Sequence, residues 1–455
     1  MSDTPATAKE AREGSLEAPT RHPIAWQTDE FYDEKAFDAE FRRVADICHG
    51  CRRCFNLCDS FPTLFDLIDE SENESVEDLT KDDIKSVVDG CTLCDMCFLT
   101  KCPYVPPHEF NLDFPHLMLR HRAIEQKKGE TSWTDDQLVK TDRNGVIARP
   151  VAGLVNWATK KDNAITRPII NATAGIHPNA DIPPYASKTL QMRASATTQD
   201  INTEAPAFGK RKLAVYATCF SQYNKPEIGE AALKVLAKNG IEAKVVYPSC
   251  CGMPELEQGN IAQVAQNAKK VSSELRPLVD EGYTIMGLIP SCSLMLKFEW
   301  PLILPADDNV KALSAATMDF DQFLVDVAKN EGLADGLEPL DGDVTLHISC
   351  HSRAQNIGRK SSELLRMIPK TKLNVIERCS GHGGSWGVKK EHHETALKVG
   401  KPVARKAVSA DSAYTASTCP LACTHIANGM EKLAADKAPK QSWHPIEIFA
   451  KAYGL

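Results

Sequence analysis

Two cysteine runs near the N-terminus contain the residues best suited to chemistry in this chain. The first run holds Cys48, Cys51, Cys54 and Cys58, and the second holds Cys91, Cys94, Cys97 and Cys102. Three cysteines at two-residue gaps let one loop wrap three thiolates around a cubic iron–sulfur cluster, and the fourth cysteine reaches across to the other cluster. The two runs therefore predict two [4Fe–4S] clusters that are close enough to exchange electrons.

The spacing assigns a set of ligands to each predicted cluster. One set is Cys48, Cys51, Cys54 and Cys102, and the other is Cys91, Cys94, Cys97 and Cys58. Two points depart from bacterial ferredoxin spacing, because Asp59 rather than proline follows Cys58 and because Cys102 lies one residue further along than usual. Two zinc sites are the alternative, although zinc prefers CxxC pairs that are separated by a longer loop.

Composition narrows the class of protein. The chain has 455 residues, 42% of them hydrophobic, and a net charge of −8, so it lacks the basic footprint of a nucleic-acid-binding protein. No stretch approaches the roughly 20 apolar residues that cross a bilayer, and the first residues lack the apolar core of a signal peptide. We therefore expect a cytoplasmic protein whose 16 cysteines are ligands or redox groups rather than disulfides. The alternative location is the inner face of the membrane, with peripheral attachment through a partner subunit.

The second half of the sequence contains two copies of one strand–helix pattern. The predicted strands cover residues 213–216, 243–247, 284–289, 344–348, 373–376 and 412–416, and the predicted longer helices cover 226–239, 259–281 and 389–408. Strand–helix alternation predicts small α/β units with parallel sheets. Cysteines follow every one of these strands, and the carboxyl edge of a parallel sheet is where ligands collect. We therefore expect the two copies to gather their sulfurs at corresponding places.

The cysteines of this repeat give the chain a family resemblance. They are Cys219, Cys250, Cys251 and Cys292 in the first copy, and Cys350, Cys379, Cys419 and Cys423 in the second. Cys250-Cys251-Gly252 and Cys379-Ser380-Gly381 resemble the motif of the tandem cysteine-rich CCG domains in the heterodisulfide reductase family. The full order also resembles the iron–sulfur subunits of anaerobic glycerol-3-phosphate dehydrogenase, glycolate oxidase and lactate utilisation systems.

The resemblance implies an α/β protein overall. It would have an N-terminal α-helical, ferredoxin-like domain with two clusters, followed by two pseudo-symmetric α/β CCG domains. The predicted segments are a flexible N-terminus (1–30), the two-cluster domain (31–135), an extended connector (136–210), the first CCG domain (211–305), a connector with a helix (306–342) and the second CCG domain (343–455).

The resemblance also implies that a complete CCG domain can hold a non-cubane [4Fe–4S] cluster on a lone cysteine, a cysteine pair and a CxxC. In the first copy, Met295 stands where the last cysteine is expected. In the second copy, Ser380 replaces one cysteine of the pair, and three residues rather than two separate Cys419 from Cys423. Each copy keeps four thiols, which suffice for a further iron–sulfur cluster or for zinc. Both possibilities therefore stay open for the CCG half.

Other catalytic patterns are missing from the sequence. No GxxxxGK[ST], GxSxG or HExxH motif is present, and no dinucleotide fingerprint occurs, so we expect no FAD or NAD to be bound by this chain alone. His351 and His382 lie beside the thiols of the second copy and are interpreted as hydrogen-bonding neighbours, with zinc ligation as the alternative.

From the resemblance we expect an electron-transfer subunit of an oxidoreductase rather than its catalytic chain. A flavoprotein dehydrogenase partner would oxidise a small organic substrate. This chain would relay the electrons to a quinone through a quinone-linked membrane partner, or to another carrier. One alternative is the catalytic subunit of a thiol–disulfide reductase of the heterodisulfide type. The other is a redox protein whose CCG half is a zinc-stabilised docking scaffold.

Overall fold

The two cysteine runs lie in a helical domain. The computed structural model describes residues 17–455. The helices of this domain are α1 (Glu34–Cys51), α2 (Ser60–Asp69), α3 (Lys81–Asp89), α4 (Met96–Thr100) and α5 (Phe114–Lys128). Phe37, Phe41 and Val44 form the buried stripe of α1, and this helix ends where Arg52 takes a left-handed conformation with φ 52°. The last turn of α1 therefore carries Cys48 and Cys51 into the site.

The predicted flexible N-terminus lies outside the described residues over its first 16 positions. From Thr20 onward the backbone is hydrogen-bonded to two distant parts of the chain. The amide of Thr20 donates to the carbonyl of Pro106 (3.0 Å), and the amide of Ile24 donates to the carbonyl of Leu302 (2.9 Å). We call residues 18–29 the N-terminal strap, since this segment joins the cluster domain to the first α/β unit.

A buried group of charges fixes the strap. The guanidinium of Arg21 contacts Asp95 (2.8 Å), Asp113 (2.8 Å) and Glu299 (3.1 Å). His116 lies 3.2 Å from Glu299 and 3.3 Å from Asp113. Asp95 and Glu299 are buried, so each depends on these partners to offset the loss of hydration. Arg21 therefore links the second cysteine run, the start of α5 and the first α/β unit.

The segment predicted as an extended connector, residues 136–210, contains several short helices separated by irregular backbone. Its helices are α6 (Trp133–Val139), α7 (Thr141–Ala148), α8 (Ala152–Thr159), α9 (Thr166–Ala174) and α10 (Leu190–Ser195), with a 3₁₀ turn at Arg149–Val151. A Cβ at Gly145 would lie 2.3 Å from the ring of Tyr223, so α7 packs closely on the first α/β unit. These helices stand where extended backbone was expected. Small residues form the buried faces of α7 and α8, which hides their helical period from a search for large apolar side chains.

The first α/β unit contains a parallel sheet of four strands in the order β2–β1–β3–β4. Its elements are β1 (Leu213–Tyr216), α11 (Thr218–Tyr223), α12 (Pro226–Lys238), β2 (Ala243–Val246), α13 (Met253–Glu257), α14 (Ile261–Asp280), β3 (Thr284–Gly287), α15 (Pro290–Leu294), a π-helical turn (Met295–Glu299), α16 (Trp300–Ile303), α17 (Asp308–Ala316), β4 (Thr317–Asp319) and α18 (Phe320–Asn330). All four residues of β1 are buried, as expected of a central parallel strand covered on both faces. The predicted connector 306–342 thus contains a strand of the first sheet, which is too short for its pattern to be recognised.

The second α/β unit repeats this strand order as β6–β5–β7–β8, again all parallel. Its elements are β5 (Val344–His347), α19 (Cys350–Ala354), α20 (Lys360–Leu365), β6 (Leu373–Ile376), a 3₁₀ turn (Trp386–Val388), α21 (His393–Ala410), β7 (Tyr414–Ser417), α22 (Pro420–Leu433), β8 (Ser442–Trp443) and α23 (Pro445–Ala452). The expectation of an α/β protein with two parallel sheets is confirmed, while a pseudo-twofold relation between the units stays a prediction. Among residues 17–455, no helix combines the length and the apolar content that crossing a membrane requires.

Replacing Arg21 by Met tests the role of the buried charges. We expect the free energy of unfolding to fall by about 3–5 kcal/mol, because the change leaves buried carboxylates without their cation. Urea denaturation of the anaerobically purified protein measures the effect. The matched control is Arg43→Met, since Arg43 pairs with Glu40 at the surface and should contribute less than about 1 kcal/mol. Equal denaturation midpoints for the two variants would contradict this account.

His116 makes the same network depend on pH. Burial and the charge of Arg21 lower the pKa of His116, but Asp113 and Glu299 outweigh them, and the net pKa is raised. A raised pKa means that the charged imidazole stabilises the fold below its ordinary pKa and that this contribution is lost as pH rises through the raised value. We therefore expect His116→Gln to lower the urea midpoint more at about pH 6 than at about pH 9. A constant difference between the two pH values would show that His116 is not charged in the folded protein.

Candidate functional site

Four cysteines from the two runs line one small cavity in the helical domain. Cys48 and Cys51 come from the last turn of α1, Cys54 follows in the next turn, and Cys102 comes from the second run. Burial raises the pKa of Cys48 well above its ordinary value, and the neighbouring thiols of the set raise it further. Phe61, Phe65 and Leu112 line the same cavity and keep water away from the sulfurs. The structure thus brings the first predicted ligand set together.

The second predicted set also converges. Burial raises the pKa of Cys58, and Cys91 and Cys94 are the charged neighbours that raise it further. Burial likewise raises the pKa of Cys97, whose neighbours are Cys94, Cys91, Cys54 and Cys58. Because one of these neighbours, Cys54, belongs to the first set, the two sets lie side by side.

The chemistry of these thiols suits a cationic cluster. Buried thiols with raised pKa values keep their protons unless a cation takes the place of those protons. The irons of a cubic cluster are such cations, and each cube binds four cysteine thiolates. Among residues 17–455, no three His, Cys, Asp or Glu side chains are placed to hold one single metal ion.

In the first α/β unit, four thiols form a chain at the carboxyl ends of the strands. Cys219 hydrogen-bonds to Cys250, Cys250 hydrogen-bonds to Cys251, and the Sγ atoms of Cys251 and Cys292 lie 3.3 Å apart. The hydrogen bonds from Cys219 and Cys251 lower the pKa of Cys250 well below its ordinary value. The amide of Gly252 also donates to the sulfur of Cys250 at 3.5 Å. All four predicted residues of the first copy are therefore within reach of one another.

In the second unit, two thiols meet each other and a third from the cluster domain. The hydrogen bond from Cys350 lowers the pKa of Cys379 to about 7. Cys350 is also a neighbour of Cys94 of the second run, and both pack against Met96 and Leu294. Next to this contact, Nε2 of His351 lies 3.4 Å from the carbonyl oxygen of Leu93. The contact between Cys94 and Cys350 could not be predicted from the sequence, because no spacing rule joins residues so far apart in the chain.

Cys423 is the predicted site residue that lies away from the others. It is fully buried on α22, and its thiol donates to the carbonyl of Thr415 at 3.4 Å. Cys419 immediately precedes α22, and Ala422, three residues later, lines the same cavity as Cys419. Each residue turns the side chain by about 100° around an α-helix. The extra residue between the cysteines therefore turns Cys423 from the cavity toward the sheet, and the predicted set of four thiols in the second copy is not brought together.

One large cavity of about 1120 Å³ joins the sulfurs of both units. Its sulfur lining comes from the second cysteine run and from both copies of the repeat, namely Cys94, Cys219, Cys251, Cys292, Cys350, Cys379 and Cys419. His382 and His425 also line it, and the Nε2 atom of each is buried without a hydrogen-bond partner. Burial lowers the pKa of His382 to about 3 and that of His425 to about 4, so both rings are neutral at neutral pH. Neutral, unpartnered ring nitrogens suit the binding of a group inside this cavity.

Carboxyl groups beside the thiols were missed by the sequence analysis. Asp142 on α7 accepts a hydrogen bond from the amide of Cys250 (2.8 Å) and another from the hydroxyl of Tyr247. Burial, followed by the charge of Cys250, raises the pKa of Asp142. The same two causes raise the pKa of Glu255 to about 8, and burial raises the pKa of Glu257 to about 7. Sequence alone offers no motif that would single out these acids, because they come from the connector and from a short helix.

Comparisons with known proteins agree with this arrangement. The family described as CCG, cysteine-rich domain, matches residues 213–297. In anaerobic glycerol-3-phosphate dehydrogenase from Escherichia coli (strain K12), the subunit designated C is 27% identical over 289 residues, which cover 62% of this chain and 69% of that protein. Lactate utilization protein A from Geobacillus kaustophilus is 31% identical over 193 residues, 39% of this chain and 75% of that protein. In fumarate reductase (CoM/CoB) from Methanothermobacter marburgensis, the subunit designated B is 28% identical over 229 residues, 49% of this chain and 42% of that protein.

Two parallel-sheet units whose thiols share one cavity, beside a helical domain with two more sets of thiols, define a cysteine-rich redox protein. The chain belongs to the CCG-domain iron–sulfur superfamily, together with the similar subunit from anaerobic glycerol-3-phosphate dehydrogenase and with lactate utilization protein A.

The different environments of Cys419 and Cys423 give a direct test. We expect Cys419→Ser to lower the iron or zinc content of the anaerobically purified protein, because that thiol lines the cavity. The matched control, Cys423→Ser, should keep the metal content of the unaltered chain, since its thiol bonds to the backbone. Ala422→Cys should raise the metal content by placing a thiol three residues after Cys419. Elemental analysis measures all three, and equal loss in the two serine variants would refute the assignment.

Proposed function

We propose that this chain is the iron–sulfur subunit of an oxidoreductase complex and relays electrons between a flavoprotein dehydrogenase and a quinone or another carrier. The contact between Cys94 and Cys350 is the observation that carries the proposal, because it connects the cluster domain to the cavity of the repeat. Relatives named as subunits of a dehydrogenase and of a reductase support the same role.

The proposed cofactors are two [4Fe–4S] clusters in the helical domain. Their ligands would be Cys48, Cys51, Cys54 and Cys102 for one cluster, and Cys91, Cys94, Cys97 and Cys58 for the other. When bound, such clusters take up and release single electrons. The protein supplies a water-poor shell, fixed positions and backbone hydrogen bonds, which together set the potential.

A further group would be held in the repeat. The four thiols of the first unit, Cys219, Cys250, Cys251 and Cys292, are the stronger candidate ligands, because they already form a continuous chain. In the second unit, Cys350, Cys379 and Cys419 line the cavity together with the unpartnered ring of His382. A further iron–sulfur cluster would fit these donors, whereas no three of the described His, Cys, Asp or Glu side chains are placed to hold one zinc ion. No FAD or NAD site is proposed for this chain alone.

The contacts between thiols set the order of an electron route. The cavity of the repeat meets the second ligand set where Cys350 and Cys94 lie side by side in its lining. The second set meets the first where Cys97 neighbours Cys54. Each step joins neighbouring side chains, so we propose that transfer needs no movement of a domain. We propose that the flavoprotein delivers electrons at one end of this route and that the carrier collects them at the other, with the complex in the cytoplasm, at the inner face of the membrane.

Metal analysis and electron paramagnetic resonance of the anaerobically purified chain test the cofactors. We expect at least about eight irons per chain, with matching sulfide and a signal after reduction by dithionite. Cys102→Ser should remove about four irons, because one cube loses a ligand, whereas Cys423→Ser serves as the control and should remove none. Colourless protein without sulfide would refute the proposal, and zinc in place of further iron would favour a zinc-stabilised docking scaffold in the CCG half.

The partner and the carrier need a separate experiment. A tagged full-length chain, isolated from its own cells under mild conditions, should retain a flavin-containing dehydrogenase and should reduce a soluble quinone when the substrate of that dehydrogenase is added. Cys350→Ser should slow quinone reduction while both cluster signals persist, since it removes the contact with Cys94. Unchanged rates in this variant would exclude the proposed route.

Thiol–disulfide reduction is a second candidate function. Two observations favour it, namely the 3.3 Å separation of the Cys251 and Cys292 sulfurs and a cavity large enough for a small disulfide. Reduction would take two electrons and two protons and would give two thiols. The isolated chain, supplied with reduced viologen as electron donor, would then consume a disulfide without any flavoprotein. Absence of this activity in cluster-containing protein would leave the relay as the function.

A further inference from the structure

The first ligand set stands at the end of the proposed electron route that is farther from the repeat. Its four cysteines are all partly exposed, whereas Cys91 and Cys97 of the second set are buried. The cavity that the first set lines is small beside the 1120 Å³ cavity of the repeat, and a bound cluster would fill it. That leaves no room beside the cluster for an organic molecule. An electron that enters or leaves at this end must therefore cross the surface to a partner that is docked there.

Phe55 places an exposed aromatic ring beside this set. It follows Cys54 directly in the chain and is 54% exposed. Its ring stacks on that of Phe65, with the ring centroids 6.4 Å apart and the planes 9° apart. Phe65 in turn lines the cavity of the first set. Aromatic side chains are enriched in protein interfaces, and a partner that covered Phe55 would also cover the sulfur side of this set.

Positive charge surrounds that ring. Residues 49–58 contain Arg52 and Arg53 and no carboxylate, and Lys101 immediately precedes Cys102. All three cationic side chains are exposed. The chain as a whole carries a net charge of −8, so this surface has the opposite sign to the rest of the molecule. The local charge therefore favours an acidic partner.

Two of these cations have no carboxylate of their own. Arg52 donates to Asp69 at 2.9 Å, but within residues 17–455 no carboxylate lies at ion-pair distance from Arg53 or Lys101. Burial raises the pKa of Cys54 to about 12, the neighbouring thiols add to the rise, and the charges of Lys101 and Arg53 oppose it. These two cations therefore stand close enough to the first set to act on its sulfurs, and they remain available to a partner.

We infer that Arg53, Phe55 and Lys101, which we call the cluster-edge surface, dock an acidic protein that carries a redox group near its own surface. The inference rests on the proposed function and adds the charge of the partner and the place where it docks. Opposite charges would steer the partner to this surface and orient it, while Phe55 supplies the apolar contact. Encounters between electron-transfer proteins bury little surface, so a few residues suffice.

The two ends of the route then accept different kinds of reactant. The cavity of the repeat is large enough for a small organic molecule, whereas the cluster-edge surface offers charge and one aromatic ring but no pocket. An acidic protein and a small organic reactant would therefore bind at separate places and would not compete.

Stopped-flow kinetics of the full-length, anaerobically purified protein test the inference, with flavodoxin hydroquinone as the acidic probe. One electron passes from the hydroquinone, which becomes the semiquinone, to an oxidised cluster, which is reduced. We expect the second-order rate constant to fall as salt rises, because salt screens the attraction. Arg53→Glu/Lys101→Glu should lower this constant about tenfold or more at low salt and abolish its fall with salt, whereas Arg53→Lys/Lys101→Arg should keep both.

The matched control is Lys401→Glu/Lys406→Glu, which makes the same change of charge at two exposed lysines of α21 and should react as the unaltered chain does. Iron content and the signal after dithionite reduction establish that each variant keeps its clusters. A rate constant that does not depend on salt, or equal rate constants for the two glutamate variants, would overturn the inference. So would a slower reaction that follows a lowered cluster potential while the salt dependence persists.

Failure of the inference is distinguishable from failure of the proposed function. Protein without iron, sulfide or a paramagnetic signal contradicts the proposed function before any rate is measured. Clusters that dithionite reduces but flavodoxin hydroquinone does not would overturn only the docking of an acidic partner at the cluster-edge surface.

Discussion

The parallel arrangement of the strands is the constraint on which the site depends. Strands that run in one direction all end at the same edge of a sheet, so the loops that follow β1, β2 and β3 must meet there. Cys219, Cys250 and Cys292 come within a few residues of the ends of those strands, and their sulfurs converge although the residues are far apart in the chain. A cavity lined by sulfurs from both units is the direct result.

The cluster domain reaches this cavity because buried charges hold it in place. Asp95 immediately follows Cys94 and pairs with Arg21, which also pairs with Glu299 of the first α/β unit. These contacts fix the loop that carries Cys94 against the repeat, where Cys94 meets Cys350. The N-terminal strap therefore positions the sulfur of Cys94. The main effect of its buried charges is to fix this geometry rather than to add net stability.

The connector contributes directly to the candidate site. Its helix α7 supplies Asp142 to the first thiol group, and the same helical stretch turns Ile147, Leu154 and Trp157 outward. Small residues on the packed side permit a close approach to the body, which leaves the large side chains for another surface. A segment that lacks an ordinary hydrophobic stripe thus supplies a carboxylate to the candidate site.

The spacing of the cysteines and the period of the apolar residues determined much of the fold and of the candidate site. The gaps between Cys48, Cys51 and Cys54 define a loop around a cluster, and apolar runs located the six longer strands, because both signals act over a few residues. The tertiary structure decided the remainder. A turn of about 100° per residue directed Cys423 away from the cavity, and close packing of Gly145 on Tyr223 fixed the position of helix α7. The meeting of Cys94 with Cys350, and of Asp142 with Cys250, depends on how separate elements pack, which no local pattern encodes.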